Sequence, residues 1–456
     1  MNTKWNRRSL IRNSSLVAGS AVALGSLPRV GYAQDPTPTV TAPINLGEGS
    51  SEITMWVQDH GASIARYEQA AQRYVEKGGD VTVTVQPIPF ADMLPKMLPS
   101  IAAGNEADIM MGYTNFYVGT DITQLFLRID EYMGGRAAMD EMFLPTTLEA
   151  MDMPEGQAYY MPTGGGLNGA AVTVNVKVWE EAGIDYKSLA TWEDLVAAAQ
   201  ELTIVEDGKI TRAGLNFSGL NAGFDVIKSW IWQLGGSFYD GESGNWSLNS
   251  AEGEAALQKM SDIYNGENPV NSFDIITNDT DDMVQGRLAC HLNGAFAISN
   301  TESLYPEFDA DGFATPPLAD AVENVVYPAH FGVVTLSRQL ADDETKRNHC
   351  IGILNEMFAI EDRIAQLDSY SGSVLDARVY SDPSITEYKY GAISKEISDA
   401  TFSRSRFPKD HVANQDPAVV ELTRALRQEI SIQEALGNAD EYLNNQEQEA
   451  RERIGL

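Results

Sequence analysis

The chain has 456 residues, of which 43% are hydrophobic and 21% charged, and its formal net charge is −33 at pH 7. This length is sufficient for two domains that each have a full hydrophobic core. A strongly acidic surface repels phosphate backbones and anionic lipids, which argues against a nucleic-acid-binding or membrane-surface protein. The carboxylates are spread along the chain, which favours a solvated acidic surface over a site for a cationic solute.

The amino-terminal segment has the pattern of an export signal. Lys4, Arg7, Arg8 and Arg12 precede the apolar run LVAGSAVALGSL and a small-residue cleavage site at 31–33. Residues 1–33 are therefore predicted to be a signal peptide that is removed. The core NRRSLIR resembles a twin-arginine signal, which exports folded proteins, although an ordinary secretory signal fits too. Either signal predicts a periplasmic or extracellular protein, whereas an uncleaved segment would act as a membrane tether.

Residues 34–51 are rich in Pro, Thr and Gly and predict a flexible leader. Beyond this leader, the patterns ITMWV (53–57), VTVTVQPI (81–88) and ADIMMG (107–112) predict strands. Helical periodicity lies between these strands, in IARYEQAAQRYVEK and in the Pro-punctuated MLPKMLPSIAAG. Alternation of strand and helix is typical of a parallel sheet.

Residues 159–202 contain a Gly-rich stretch followed by β-branched residues. Gly164, Gly166 and Gly169 have the G-x-G-x-x-G spacing of a dinucleotide-binding loop. Such a loop opens a helix, whereas AAVTVNV after Gly169 predicts a strand, so we reject the nucleotide interpretation. Farther on, Thr191 can cap a helix, with Asp194 completing an acidic form of the capping box.

The same segment carries an ordered set of motifs: a Tyr-x-x-Pro turn, a Gly-rich crossing, a strand that ends at Asn175, then VWEEAGID and TWEDL. In this order they resemble the carbohydrate-binding branch of the solute-binding proteins of ABC importers, of the maltose-binding-protein type. The resemblance continues through GGSFYD, NSAEGEAALQKMSDIYN and QGRLACHLNGAFAIS to a return strand and helix from 330 and a closing helix from 428. The chain departs from the family where SGSVLDARVY replaces the usual proline-containing segment.

The resemblance implies an α/β fold, the type II periplasmic-binding-protein fold, in which two mixed sheets flanked by helices form two lobes. The N-terminal lobe would comprise residues 52–163 plus 331–372, and the C-terminal lobe 164–330 plus 373–456. Hinge crossings would lie at 163–166, 330–332 and 371–374, where glycine relieves steric limits on the backbone. Cys290 and Cys350 could pair after export, but a bridge between lobes would lock the hinge, so we expect buried free thiols.

The resemblance also implies a sugar or oligosaccharide ligand, no cofactor, a monomeric protein and delivery to a membrane permease. A sugar has apolar C–H faces and a hydroxyl rim, so proteins bind it with aromatic rings and hydrogen bonds. The implied ligand-binding residues are Trp56, Asp59, Tyr113, Thr114, Asn115, Thr163, Gly164, Trp230, Trp232, Asn293, Phe296, His330, Phe331 and Phe407. Trp230 and Trp232 cannot share one helical face, so at least one belongs to the core. Cleft and core positions are both open for Trp56 and Phe296.

The sequence contains no motif of a familiar catalytic or metal site. G-x-S-x-G, G-x-x-x-x-G-K-[ST], C-x-x-C and H-E-x-x-H are absent, and no two of the five histidines are spaced i, i+4. We therefore predict a binding protein and not an enzyme, with no metal. Two alternatives stay open: a binding protein for a polyamine or a glycerol phosphoester, and a secreted carbohydrate-active enzyme with a carboxylate pair.

Overall fold

A computed structural model describes residues 41–149, 151, 154, 156–164, 170–217, 219–273, 275–327, 332–372, 375–402, 410–412 and 414–454. The predicted signal segment, 1–33, lies outside these ranges. Among the residues described, no helix combines the length and the apolar character that crossing a bilayer requires.

In chain order the strands are β1 (Ile44–Leu46), β2 (Ser51–Gln58), β3 (Val81–Ile88), β4 (Ile109–Tyr113), β5 (Tyr160–Gly164), β6 (Ala171–Asn175), β7 (Ile204–Glu206), β8 (Lys209–Arg212), β9 (Asn216–Phe217), β10 (Tyr239–Asp240), β11 (Asn245–Trp246), β12 (Cys290–Asn293), β13 (Ala310–Ala314) and β14 (Gly332–Leu336).

The α-helices are α1 (Gly61–Glu76), α2 (Phe90–Ala103), α3 (Ile122–Leu125), α4 (Gly135–Met142), α5 (Pro145–Glu149), α6 (Val176–Ala182), α7 (Trp192–Leu202), α8 (Gly219–Gln233), α9 (Ala251–Asn265), α10 (Asp279–Val284), α11 (Phe296–Leu304), α12 (Glu344–Met357), α13 (Ile360–Ala365), α14 (Ala377–Ser381), α15 (Gly391–Phe402), α16 (Asp416–Leu426) and α17 (Ile432–Ile454). Short 3-10 helices lie at Thr114–Tyr117, Asp130–Tyr132, Tyr186–Ser188, Arg338–Ala341, Gln366–Asp368 and Pro383–Glu387.

The first lobe is built on a six-stranded sheet with the order β1-β3-β2-β4-β14-β5. The three strands predicted from the sequence are β2, β3 and β4, and β2 pairs in parallel with both of the others. The sheet is mixed because β1, β14 and β5 pair antiparallel to their neighbours. The valines of VTVTV are fully buried while the intervening threonines are partly exposed, so β3 shows the alternation expected of a strand with one face on the core.

The prediction of a flexible leader through residue 51 is wrong for its last part. Residues 44–46 form β1, in which Ile44 lies opposite Val85 and Leu46 opposite Val83, and both apolar side chains pack on the first core. Strand β3 would otherwise be an exposed edge, and such an edge pairs readily with any extended segment of suitable register. Composition could not reveal this pairing because it depends on a neighbour about 40 residues away.

The second lobe is built on a four-stranded sheet with the order β13-β6-β12-β9. Strand β6 follows the Gly-rich segment and pairs antiparallel with β12 and β13, which agrees with the rejection of a dinucleotide loop. The capping box before α7 is confirmed. Thr191 Oγ1 accepts a hydrogen bond from the Asp194 backbone N–H (3.1 Å), and Asp194 Oδ2 accepts one from the Thr191 N–H (3.0 Å).

Each lobe has its own hydrophobic core. One cluster surrounds the six-stranded sheet, and a second surrounds the four-stranded sheet together with α16 and α17. Cys350 belongs to the first cluster and Cys290 to the second, and both are free buried thiols, as predicted. Burial raises the pKa of both thiols, so neither is an activated nucleophile.

The chain changes lobe for the last time later than predicted. Leu375 belongs to the first core, whereas Ile397 on α15 packs with Ala171 and Ala295 of the second lobe. The predicted boundary at residue 372 therefore lies too early, because Asp376 forms ion pairs with Arg363 and with Arg378 and anchors this segment to the first lobe. Residues 373 and 374 of the predicted third crossing lie outside the described residues.

A buried polar network joins residues 410 and 411 to α17. Glu447 is 1% exposed, and its carboxylate accepts hydrogen bonds from the His411 backbone N–H (2.7 Å) and the Tyr239 hydroxyl (2.8 Å). Burial raises the pKa of the neighbouring Asp410 to about 6, with Lys228 opposing the shift and Glu447 adding to it. The fold therefore favours the protonated form of Asp410.

Replacing Asp410 with Asn is expected to stabilise the protein above pH 7 and to have little effect near pH 4. The pKa of Asp410 in the folded protein lies above its value of about 3.9 in the unfolded chain. The contribution of Asp410 to the free energy of unfolding is therefore present at low pH and is lost as pH rises through 6. Urea unfolding of both proteins at pH 4.5 and pH 8 measures the difference. The exposed substitution Asp262→Asn is the control. An equal effect of Asp410→Asn at the two pH values would contradict the expectation.

Candidate functional site

Aromatic side chains gather where the parallel strands of the first sheet end. Tyr113 ends β4, and its ring packs edge-on against Phe90 (5.3 Å between ring centroids) and Phe116 (5.4 Å). The Tyr113 hydroxyl donates a hydrogen bond to Gln58 at the end of β2. Phe90 is 39% exposed although it is a large apolar residue. We call Phe90, Tyr113 and Phe116 the aromatic patch, and it lies at the sheet edge where α/β folds commonly bind ligands.

Three further predicted residues lie on the same wall. Asp59 follows β2, and its carboxylate accepts hydrogen bonds from the Thr41 hydroxyl (2.7 Å) and backbone N–H (3.1 Å). Thr114 and Asn115 open the 3-10 helix after β4 and are partly buried. Asn115 Oδ1 is buried and has no hydrogen-bond partner among the described residues. A buried acceptor without a hydrogen bond is energetically unfavourable, so a donor from a bound molecule or water would stabilise Asn115 Oδ1.

Trp56 is not part of this wall. Its side chain is 7% exposed and belongs to the first core, and Lys96 Nζ of α2 lies over the ring, 4.3 Å from the centroid. Burial lowers the pKa of that lysine. Of the two positions left open by the sequence, the structure therefore shows the core position for Trp56.

The floor of the site is the end of β5. Gly164 has φ = +108°, a value that L side chains rarely adopt, and it lies opposite Gly332 of β14. The carbonyl oxygen of Thr163 accepts hydrogen bonds from the guanidinium groups of Arg66 and of Arg363 (2.8 Å from Nη1 of Arg363). The Thr163 side chain is fully buried, so its hydroxyl is not exposed to the site. The part of Thr163 that is used there is the backbone carbonyl, which both arginines hold by hydrogen bonds.

The end of β12 and the start of α11 belong to the second lobe, and α11 lies beside the chain at Ser371. Asn293 is partly buried, and its Oδ1 accepts a hydrogen bond from the Gly294 N–H (2.8 Å). Phe296 begins α11 and is also partly buried. Ser371 ties α11 to the crossing, because its hydroxyl donates to the Ala295 carbonyl (2.6 Å) and its N–H donates to Ser299 Oγ (3.1 Å).

The two tryptophans of α8 separate as the helical spacing predicts. Trp230 is 2% exposed and packs edge-on against Trp192, with 5.0 Å between ring centroids, so it is a core residue. Trp232 is partly buried and contacts Phe238 (4.8 Å) and Tyr327 (5.9 Å) at the edge of the second core. The ring contacts of Trp230 and Trp232 are with residues of the second lobe and not with the aromatic patch. The predicted residues His330, Phe331 and Phe407 lie outside the described residues.

The sequence analysis missed the residues behind the floor. Arg66 lies on the buried face of α1, beside the fully buried Tyr67, and its Nε donates to Gln366 Oε1 (3.0 Å). Its guanidinium carbon lies 5.4 Å from the centroid of the Tyr370 ring. A basic residue within the apolar stripe of an amphipathic helix was a signal that could have been used for Arg66. Arg363, Gln366 and Tyr370 belong to no motif.

The polar groups of the site can donate and accept hydrogen bonds but do not form a recognisable catalytic centre. Burial raises the pKa of Tyr67, Tyr113 and Tyr370, so their hydroxyls stay protonated and are hydrogen-bond donors at neutral pH. Within the described ranges, no three His, Cys, Asp or Glu side chains are arranged to bind a metal ion. This chemistry suits non-covalent binding of a molecule with both apolar faces and polar edges.

The model of the bacterial extracellular solute-binding protein family matches residues 60–336, which is well over half of the chain. The chain belongs to this family. The family assignment confirms the resemblance that the motifs in residues 159–202 indicated.

Two curated relatives of this solute-binding protein are named as sugar-binding proteins. An arabinooligosaccharide-binding protein of Halalkalibacterium halodurans is 26% identical over 226 residues, which cover 47% of this chain and 46% of the relative. A lactose-binding protein of Rhizobium radiobacter is 25% identical over 228 residues, which cover 47% of this chain and 50% of the relative. This solute-binding protein thus spans about half the length of the curated relatives it matches.

Solved structures confirm the predicted fold class of this solute-binding protein. The GacH receptor of Streptomyces glaucescens, solved unliganded and with acarbose, has a TM-score of 0.69 at 17% identity, covering 88% of this chain and 99% of that chain. The maltose/maltodextrin-binding domain MalE of Bdellovibrio bacteriovorus, bound to maltotriose, has a TM-score of 0.68 at 13% identity, covering 87% and 99%. An ABC substrate-binding protein of Listeria monocytogenes in complex with cycloalternan has a TM-score of 0.69 at 16% identity, covering 87% and 98%.

Proposed function

We propose that this solute-binding protein is the extracytoplasmic substrate-binding component of an ABC importer and captures a sugar or oligosaccharide between its lobes. The aromatic patch carries this proposal. Tyr113 and the exposed Phe90 offer ring surface at the strand ends, and Gln58, Asp59 and Asn115 supply polar groups beside it. Such a combination fits the apolar faces and hydroxyl rim of a sugar ring. The sugar-binding names of the relatives support the same ligand class.

The proposed mechanism is closure of two rigid lobes on the ligand. The first lobe, which runs from β1 to β5 and from β14 to the end of α14, would present the aromatic patch, and the second would present Asn293 and Phe296. Binding drives closure only when the sugar contacts the closed form better than the open form. The closed surface would then be presented to the permease by a monomer. The proposed location is the periplasm or the extracellular space, reached through a twin-arginine-type signal that is cleaved.

A matching sugar is expected to make the protein more compact. Small-angle scattering of the monomer, without and with saturating sugar from a thermal-shift screen of mono-, di- and oligosaccharides, measures the radius of gyration. A sugar at about a hundredfold above its dissociation constant should stabilise the folded protein by roughly 2.7 kcal/mol, which makes the screen sensitive. A non-binding sugar at equal concentration is the control. Bound sugar with an unchanged scattering profile would contradict closure.

A carbohydrate-active enzyme is the alternative from another functional class. An enzyme would convert oligosaccharides into products, whereas a transport receptor returns its ligand unchanged. Incubation of purified protein with oligosaccharides, followed by chromatography, separates the two functions. We expect no products, and steady turnover would contradict the receptor proposal.

A further inference from the structure

A small polar cavity lies behind the floor of the site. Its polar lining residues are Arg66, Thr163, Arg363, Gln366, Tyr370 and the carboxylate of Asp376; glycines and apolar residues of the first lobe complete the wall, and its volume is about 30 Å³. This volume holds about two water-sized groups, so it can accept one small polar group of a larger molecule.

The cavity carries more positive than negative charge. Arg66 and Arg363 are 7% and 8% exposed, and both guanidinium groups converge on the carbonyl of Thr163. Asp376 is the carboxylate that forms an ion pair with Arg363, at 3.7 Å from Nε to Oδ2. Both Asp376 oxygens already accept hydrogen bonds from Arg378, at 3.0 Å and 2.6 Å. One carboxylate is thus shared by two arginines, and Arg66 makes no ion pair within the described part of the chain.

Two observations indicate that a negatively charged group would complete the cavity. Arg363 Nε is buried and makes no hydrogen bond to any described residue, although a guanidinium has five N–H donors. Burial, and next the nearby charge of Arg66, lower the pKa of Arg363 to about 10, so Arg363 is still charged at neutral pH. Asp376 is the one carboxylate among the described residues that line the cavity, and Arg378 already donates to both of its oxygens, so an anion would reduce the excess positive charge of the two buried arginines.

The cavity adjoins the aromatic patch. Gly332 of β14 lies opposite Tyr113 of β4 on one side and opposite Gly164, a residue of the cavity wall, on the other, and the Tyr370 ring contacts the Arg66 guanidinium. A molecule whose ring lies on Tyr113 and Phe90 could therefore direct a charged substituent towards Arg66. Guanidinium groups bind carboxylates through paired, directional hydrogen bonds.

We propose that this cavity binds the carboxylate of an acidic saccharide, so that the preferred ligand contains a uronate residue. This inference rests on the proposed function and narrows its substrate class. The two arginines would donate hydrogen bonds to the carboxylate oxygens while the sugar ring lies on the aromatic patch. The rest of the molecule is strongly acidic, so the cavity is a local positive site that would select where the anionic group lies.

Isothermal titration calorimetry with matched acidic and neutral sugars tests the proposal. The probes are galacturonate and digalacturonate against galactose and galactobiose of the same linkage, glucuronate against glucose, and glycerol 3-phosphate. In the wild-type protein we expect at least one uronate to bind about tenfold or more tightly than its neutral counterpart. Arg66→Gln should abolish this preference, and Arg66→Lys should retain part of it.

Arg73→Gln is the matched control. Arg73 lies on the same helix, and its guanidinium forms an ion pair with Asp362 (2.8 Å) on a partly exposed surface. This variant should keep the wild-type preference for the uronate. Circular dichroism checks that each variant is folded, and the comparison of acidic with neutral sugars in the wild-type protein decides the question if Arg66→Gln does not fold.

The outcomes separate the two proposals. Neutral sugars that bind as tightly as their uronates would overturn the acidic-saccharide inference and leave the proposed function intact. Tighter binding of glycerol 3-phosphate than of any uronate, lost in Arg66→Gln, would overturn the carboxylate assignment in favour of a phosphoester. Failure of all these probes and of every sugar in the thermal-shift screen would refute the proposed function itself.

Discussion

Replacing Asp376 with Asn is expected to lower the free energy of unfolding by about 3–5 kcal/mol, which is the usual effect of removing one partner of a buried ion pair. Asp376 is 1% exposed and pairs with the buried Arg363 and the partly exposed Arg378. Asparagine keeps the shape of the side chain but leaves Arg363 without a carboxylate. Urea unfolding at pH 7 measures the loss. The segment that holds α14 on the first lobe should become susceptible to proteolysis at the same time.

Asp140→Asn is the control for this experiment. Asp140 is 51% exposed and pairs with Arg136 one helical turn away at 2.7 Å, so it has the same chemistry in a solvated position. Exposed pairs of this kind contribute about 0.3–0.5 kcal/mol. A loss in Asp376→Asn no larger than in Asp140→Asn would show that burial of the arginines does not depend on Asp376.

Two aromatic substitutions should separate stability from binding. Trp230→Ala is expected to lower the free energy of unfolding by about 3–5 kcal/mol, because the buried indole packs against Trp192 in the second core. The protein that remains folded should bind a sugar identified in the thermal-shift screen with an unchanged dissociation constant. Tyr113→Ala should instead weaken binding about tenfold, since stacking and the ring's apolar contact are lost. Calorimetry and urea unfolding of both variants measure the two effects.

Tyr113→Phe is the conservative partner of this pair. It keeps the ring but removes the hydroxyl that donates to Gln58, so most of the affinity should remain. A large loss of affinity in Trp230→Ala, or none in Tyr113→Ala, would contradict the assignment of the sugar to the aromatic patch.

Local patterns predicted the parts of the fold that depend on neighbours in the chain. The valine–threonine alternation of β3, the β-branched run of β6 and the pair Thr191 and Asp194 needed only a few residues of sequence, and the structure contains each of them. The two-residue spacing of Trp230 and Trp232 was also sufficient to show that one belongs to the core. These features follow from the fixed periods of helices and strands.

Long-range pairing explains where the predictions failed. Residues 44–46 have the composition of a leader but pair with β3, and the segment after residue 372 is retained in the first lobe by the ion pairs of Asp376. Trp56 has the sequence position of a cleft residue, yet Lys96 of the next helix covers its ring. None of these contacts can be predicted from the residues adjacent in the sequence.

The sequence by itself determined the family, the two-lobe α/β fold and the absence of familiar catalytic motifs, because these follow from local periodicity and from ordered motifs. The tertiary structure alone decided which aromatic rings line the strand ends and that Arg66 and Arg363 converge on Thr163 from helices about 300 residues apart. Two side chains so far apart in the sequence come together only because their helices pack on the same sheet. The charge around the site therefore depends on tertiary packing, which local sequence patterns do not encode.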